Sequence, residues 1–445
     1  MGLEMIIRRS ILLGLLVLSL ALPAVAAAQT SIRVSNSKVE TAFRDYITFK
    51  ISADGDNKIT AARLFYSVAG QTATARGDAK FDPATHVDAS FTIDQTKNYM
   101  PPGTELQYWW QITDETGQSL KTDKQTLVYM DDRHPWQKLS NDRLTLYWYE
   151  GGQSLGQALF DQANKTLDQI EADTGVKVKL PVKIFIYGSY SDLHDAIAVG
   201  SQEWTGGEAF TDQGVVVIGV SPDNLGYGLI ATPHELTHLI IHQATKNPFG
   251  DIPTWLDEGL AVYFSGELDA SGMGYNDRGL VAAAAKDGQL MTLQTLSSSF
   301  PADPNQTTLA YAESGVVVEF IIKHYGKDAM FKLLDIFHQG STYDDAFKQA
   351  FGVDMRGLDN VWRQSLGAPL LPNSAAQATP PAAAQATAVP AAPTAVTAAT
   401  PAPAAPTAAP AATGQSPLCC LGGSLPGVAV LVLFGLLRAR GVRIE

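Results

Sequence analysis

Between Ser31 and about Met130, apolar and polar residues alternate in short runs: Tyr46 to Ile51, Ala62 to Val68 and Leu106 to Ile112. A period of two puts every second side chain on one face, so each run predicts a strand buried on one side. Asp54-Gly55, Pro101-Pro102-Gly103 and Glu115-Thr116-Gly117 are turn signals between such runs. From about Asp131 the texture changes. Leu144 to Tyr149, Val182 to Tyr187 and Val215 to Val220 still read as strands. Leu155, Leu159, Ala163, Leu167 and Ile170 instead recur every three or four residues, which predicts a helix over Leu155–Asp173. Further helices are predicted at Ser314–His324, Asp328–Phe337 and Met355–Leu366.

These patterns predict a multidomain α+β chain. Residues 30–130 are expected to form a β-sandwich of immunoglobulin or fibronectin-III type. Residues 131–370, strands first and helices after, are expected to form one larger domain of two lobes with a site between them. Residues 374–417 are almost entirely Ala, Pro, Thr and Gln. They cannot bury enough apolar surface to fold and predict a disordered, semi-rigid stalk.

The two ends change the expected address. Arg8 and Arg9, the apolar stretch Ile11 to Leu22 and the small residues Ala24 to Ala28 predict a secretory signal over residues 1–28. Residues 421–445 carry an apolar run to Leu437 followed by Arg438, Arg440 and Arg443. That pattern predicts a transmembrane helix with a cytoplasmic tail, or the processed sorting segment of a bacterial surface protein. The chain is therefore expected to be exported and to meet the membrane through its C-terminal segment. The two cysteines, Cys419 and Cys420, fall outside the predicted domains, so those domains use neither a disulfide nor a thiol nucleophile. With a net charge of −13 and no basic cluster in the folded region, nucleic acid is not an expected partner.

The candidate chemistry lies in His234-Glu235-Leu236-Thr237-His238. On a helix this spacing puts two imidazoles one turn apart on one face, where both reach the same ion, while Glu235 points toward the water such an ion activates. Nineteen residues separate His238 from Glu258, which lies in Trp255-Leu256-Asp257-Glu258-Gly259-Leu260-Ala261. The interval lets the chain finish one helix, turn and send a second past the ion. The competing structural reading takes Thr232-Pro233-His234-Glu235 as a capping box with proline in the first helical turn. It predicts nothing about the downstream Glu258 segment. His242 continues the same helix face, but a further turn of about 5.4 Å carries it too far along the axis to join the same ion. It is read as a helix-end residue or as a partner that orients a ligand.

H-E-L-T-H followed by W-L-D-E-G-L-A resembles the gluzincin group of zinc metallopeptidases, which includes the thermolysin and aminopeptidase N types. It is most similar to the peptidase MA-like domains of secreted bacterial proteins. The resemblance covers roughly residues 140 to 366. It implies one Zn2+ per chain held by His234, His238 and Glu258, with Glu235 as general base. It also implies that Tyr311, opening Tyr311-Ala312-Glu313-Ser314-Gly315, donates to the oxyanion, although the family's glycine stands one position later here. Aminopeptidases of the group carry a Gly-x-Met-Glu-Asn stretch that grips the free amino terminus. The equivalent region here, Gly206-Gly207-Glu208-Ala209, keeps only Glu208 in a comparable place. The expected activity is therefore cleavage within peptide or protein substrates, with an aminopeptidase and a catalytically inactive adhesion protein as the alternatives.

Overall fold

The computed structural model describes residues 31–197, 206–269 and 276–372. The predicted signal, the Ala/Pro/Thr stalk, the C-terminal apolar segment and both cysteines lie outside the described residues. Among the described residues no helix is long and apolar enough to cross a membrane. The chain divides into two compact units between Arg133 and His134.

Among the described residues the regular elements of the first unit are antiparallel strands: β1 (Arg33–Ala42), β2 (Tyr46–Val68), β3 (Ala75–Asp78), β4 (Ala84–Asp94), β5 (Thr104–Asp114), β6 (Ser119–Lys121) and β7 (Gln125–Tyr129). The sequence pattern splits β2 at Asp54-Gly55, and here the structure differs. The chain stays extended through that dipeptide as one 23-residue strand. Up to Asp54 it pairs with β1 and β4, and from Ile59 onward with β5, joined on its other edge by β3. The irregularities between Asp54 and Ala61 absorb the change of partners. They also flip the face. Ile47, Phe49, Ile51 and Ala53 are buried before them, Ala62 and Leu64 after them, as a one-residue shift of register requires. A turn signal inside a strand thus marks a bulge. The two halves face each other through their aromatic residues. Phe49 meets Tyr108 edge-on at 4.8 Å, and a Cβ at Gly77 would fall 2.2 Å from the Phe91 ring.

The second unit opens with a five-stranded sheet built from β8 (Gln137–Ser140), β9 (Leu144–Trp148), β10 (Val182–Tyr187), β11 (Gly207–Phe210) and β12 (Val215–Gly219). The order is β11-β12-β10-β9-β8. The inner three strands run parallel, and β8 and β11 close the edges antiparallel. Helix α1 (Gly152–Thr174) makes the crossover from β9 to β10 and lands the predicted stripe of Leu155, Leu159, Ala163, Leu167 and Ile170 in the core. Gly156 lets it lie on the sheet, since a Cβ there would fall 2.3 Å from the Trp148 ring. A short helix, α2 (Tyr190–Ala196), follows β10. The rest is helical: α3 (Leu225–Thr245), α4 (Thr254–Ser265), α5 (Asp277–Asp287), α6 (Leu293–Leu296), α7 (Pro304–Tyr325), α8 (Lys327–His338), α9 (Tyr343–Phe351) and α10 (Met355–Ser365). One apolar core runs from the sheet through these helices.

A buried polar knot ties α7 and α10 to the segment before α6. The Glu313 carboxylate accepts from the Met291 amide, Asp359 accepts from the Leu293 amide, and Arg363 donates to Asp359 and to the carbonyls of Leu290 and Met291. Burial pushes the Glu313 carboxyl from 4.5 up to about 8, against the pull of the Met291 amide and Arg363. Between those two values the folded state holds more protons than the unfolded chain, so this group's contribution to stability falls as pH rises. Glu313→Gln removes that dependence. Thermal melts of the variant are expected to match wild type near pH 4.5 and to exceed it at pH 9.

Candidate metal centre

Helix α3 begins at Asn224, whose side chain accepts from the Tyr227 amide. This start overturns the capping-box reading. Thr232 stands well inside the helix, and Pro233 is an interior proline that leaves out one rung of the hydrogen-bond ladder. The helix is apolar nearly all round and is buried from Ile230 to Ile241. A helix of that kind belongs inside a domain, and it carries His234, Glu235 and His238 in with it. Their exposures are 2, 3 and 4%. Polar side chains buried this deeply need partners.

Asn247 shapes the return from α3 to α4. Its amide donates to the carbonyls of Gly250 and Phe337, and its oxygen accepts from the amides of Phe249 and Gly250. Pro253 then starts α4, and Glu258 points back toward the two imidazoles. Two glycines set how closely α4 meets α7. A Cβ at Gly259 would fall 2.3 Å from the Ser314 carbonyl oxygen, and one at Gly315 would fall 2.4 Å from Val262.

Glu258 Oε2 lies 3.6 Å from His234 Nε2 and 3.5 Å from His238 Nε2. The two rings are 5.0 Å apart between centroids. None of these contacts is a hydrogen bond. His234 Nε2, His238 Nε2 and both Glu258 oxygens are buried without a hydrogen-bond partner. Four orphaned polar atoms from three converging side chains form a donor set that fits a divalent ion, and two imidazoles with one carboxylate suit zinc.

The other ring nitrogens face carboxylates. His234 Nδ1 is 3.0 Å from Glu267 Oε1, in the 3-10 turn Glu267–Asp269, and Ser265 donates to that same oxygen. His238 Nδ1 pairs with Asp257 Oδ1 by charge at 3.1 Å without the geometry of a hydrogen bond, and His242 Nε2 hydrogen-bonds Asp257 Oδ2 at 3.0 Å. Carboxylates placed behind imidazoles in this way orient metal ligands. The charges interlock. Burial pulls the His234 pKa down, but Glu258 and Glu267 outweigh it and push it up to about 9. Burial raises the Glu258 carboxyl, and the two imidazoles more than reverse this.

Glu235 stands apart from that ladder. Its carboxyl packs against β11, where a Cβ at Gly207 would meet its side chain at 2.9 Å. Burial pushes it up to about 7, against the pull of the imidazoles, and Glu208 is among the charges that raise it further. Glu208 lies on edge strand β11 opposite Val217. The structure therefore gathers His234, Glu235, His238 and Glu258 in one buried cluster and brings Glu208 within electrostatic range. Tyr311 is half-buried on α7 with its ring edge-on to Phe300 at 5.0 Å. His242 stands in the last turn of α3, as the helix-end reading expects, and its ring hydrogen-bonds Asp257. Asp257 and Glu267 were not singled out by sequence reasoning. The adjacency of Asp257 to Glu258 was the one available signal, and Glu267 offered none.

A buried helix bearing two imidazoles and a carboxyl, completed by a carboxylate from the next helix, brings together side chains that could hold a metal. Residues 162–368 match the family model of the Peptidase MA superfamily, and this part of the chain is a domain of that superfamily. No curated protein matches the chain. Among solved structures, the chain is similar to aminopeptidase A of Legionella pneumophila at 9% identity and a TM-score of 0.34, over 77% of this chain and 50% of that one. It is also similar to OgpA of Akkermansia muciniphila, solved with an O-glycopeptide substrate, at 9% identity and a TM-score of 0.19, over 23% and 30% of the two chains. A polysaccharide deacetylase of Bacillus cereus matches at 13% identity and a TM-score of 0.19, over 36% and 53%. The chain thus spans less than a third of OgpA and about half of the other two.

Proposed function

We propose that this protein is a zinc-dependent peptidase that cleaves within exported or extracellular polypeptides. The observation that carries the reading is the set of orphaned atoms on His234, His238 and Glu258, buried beside the Glu235 carboxyl. Zinc held by these three side chains would supply Lewis acidity toward a peptide carbonyl and lower the pKa of a water toward about 7. Glu235 takes the proton of the attacking water and returns it to the leaving amine. Glu267 and Asp257 keep the imidazoles turned toward the site. Tyr311 is the proposed oxyanion donor. Its helix meets α4 at Gly259, next to Glu258, and Tyr311 lies about one turn before the contacting Ser314.

The remaining assignments rest on sequence texture. The first unit is proposed to be a sandwich of immunoglobulin or fibronectin-III type, supported by the facing aromatic residues of its two halves, and the second to be two-lobed. The signal, stalk and C-terminal apolar segment support export and tethering at the cell surface, up to about 130 Å out if the stalk approaches polyproline extension. The acidic charge of Glu208 near Glu235 favours a second reading, an aminopeptidase in which Glu208 grips the substrate's amino group.

One experiment separates the readings. The purified full-length chain is assayed for metal content and for cleavage of an unfolded-protein mixture, with and without a chelator and with substrate amines free or blocked. Internal cleavage that persists on blocked substrates and is lost on chelation is expected. Release of single N-terminal residues, abolished by blocking, would make it an aminopeptidase. Bound zinc with no cleavage of either kind would leave a binding protein.

A further inference from the structure

Asp257 lies between two imidazoles of the same helix face. Its Oδ1 lies 3.1 Å from His238 Nδ1, an ion-pair distance not yet aligned as a hydrogen bond, and its Oδ2 accepts a 3.0 Å hydrogen bond from His242 Nε2. Asp257 and His238 are buried, and the His242 side chain is about a quarter exposed. A histidine that offers one nitrogen to a metal carries its proton on the other, and that N–H needs an acceptor whose direction is fixed. A carboxylate is free to rotate about its last bond, so proximity alone does not aim it. The hydrogen bond from His242 supplies the aim, since tying Oδ2 leaves Oδ1 turned to His238. His242 stands two turns beyond His234, too far along the axis to reach the same ion.

We propose that His242 is a positioning residue, whose hydrogen bond to Asp257 Oδ2 locks His238 in the orientation and tautomer that leave its Nε2 facing Glu258. The inference rests on the metal reading above and adds a third link, His238–Asp257–His242, running outward from the site. It predicts that a residue that never touches the ion sets how tightly the ion is held.

The test uses the full-length protein with Zn2+ and Co2+ as probes. His242→Phe removes the donor and Asp257→Asn removes the charge, whereas His242→Gln keeps an N–H that reaches Oδ2. Zinc affinity, measured against a competing chelator, is expected to fall about 10- to 100-fold in Asp257→Asn and about 10-fold in His242→Phe. His242→Gln should recover most of the loss. The visible spectrum of the cobalt form should shift in His242→Phe and return in His242→Gln, which a loss of helix stability alone would not produce. Wild-type affinity and an unshifted cobalt spectrum in His242→Phe would overturn the proposal. So would the loss of a second bound equivalent, because His242 would then be a ligand. A metal-free readout keeps the two readings apart. The low-field Nδ1 proton of His238 should move in apo His242→Phe, and if it moves while no variant or wild type binds metal, the zinc reading falls and the three-residue link stands.

Discussion

Replacing Glu235 with glutamine is expected to lower peptide hydrolysis by roughly 10²- to 10⁴-fold while leaving metal binding unchanged. Glutamine keeps the shape of the side chain, so the contact with Gly207 on β11 survives. It also keeps a carbonyl oxygen but cannot take up a proton at neutral pH. Glu235 is not among the groups that converge with Glu258 on the candidate ion, so its neutral form should not disturb zinc stoichiometry. The measurement is kcat alongside metal content for the same preparation. Activity within a few-fold of wild type would remove Glu235 from the proton path. Loss of metal together with activity would instead make it a ligand, and the cluster would have to be redrawn.

Gly259→Ala is expected to cost about 1–3 kcal/mol of stability and to loosen the metal site with it. The added carbon would lie 2.3 Å from the Ser314 carbonyl oxygen and 2.7 Å from its carbon. Both are backbone atoms inside a helix, so neither can swing aside as a flexible side chain would. Either α4 or α7 must move, and Glu258 moves with α4. For a unit of this size, about 1–3 kcal/mol lowers the midpoint of thermal unfolding by roughly 2–12 °C. Gly250→Ala is the control, because a Cβ at Gly250 meets nothing within 4 Å. Equal melting of the two variants would mean that α4 and α7 do not approach as closely as described.

Much of the second unit was legible in the chain. The stripe from Leu155 to Ile170 and the runs at Leu144, Val182 and Val215 became α1, β9, β10 and β12, because each pattern extends over a whole element and faces one core. Helix α7 starts ten residues before its predicted onset at Ser314. The signal was present, as Asp303 caps the amides of Asn305 and Gln306, with Pro304 in the first turn. The clustering of His234, His238 and Glu258 was legible because H-E-x-x-H spacing is a local property of a helix and Glu258 follows at an informative interval. The carboxylates behind the imidazoles were not, since Glu267 reaches His234 only through the way the chain turns after α4. Pro233 misled in the opposite sense. Its usual place in a first turn suggests a helix start, but the apolar run ahead of it had already begun the helix at Leu225. In the first unit, Asp54-Gly55 carries the composition of a turn, and only its long-range partners make it part of a strand.

The strand β2 has a consequence for how the first unit comes to be folded. Beside its near neighbours β1 and β3 it has two distant partners, with Tyr46 opposite Asp94 and Ile59 opposite Asp114. Pairings over such separations must close long loops before any contact offsets the lost entropy, which slows folding. Since one continuous segment serves both halves, neither half can open, exchange its amides with solvent or be trimmed away without disturbing the other. An error in registering this one strand against β4 and β5 therefore disturbs both halves together.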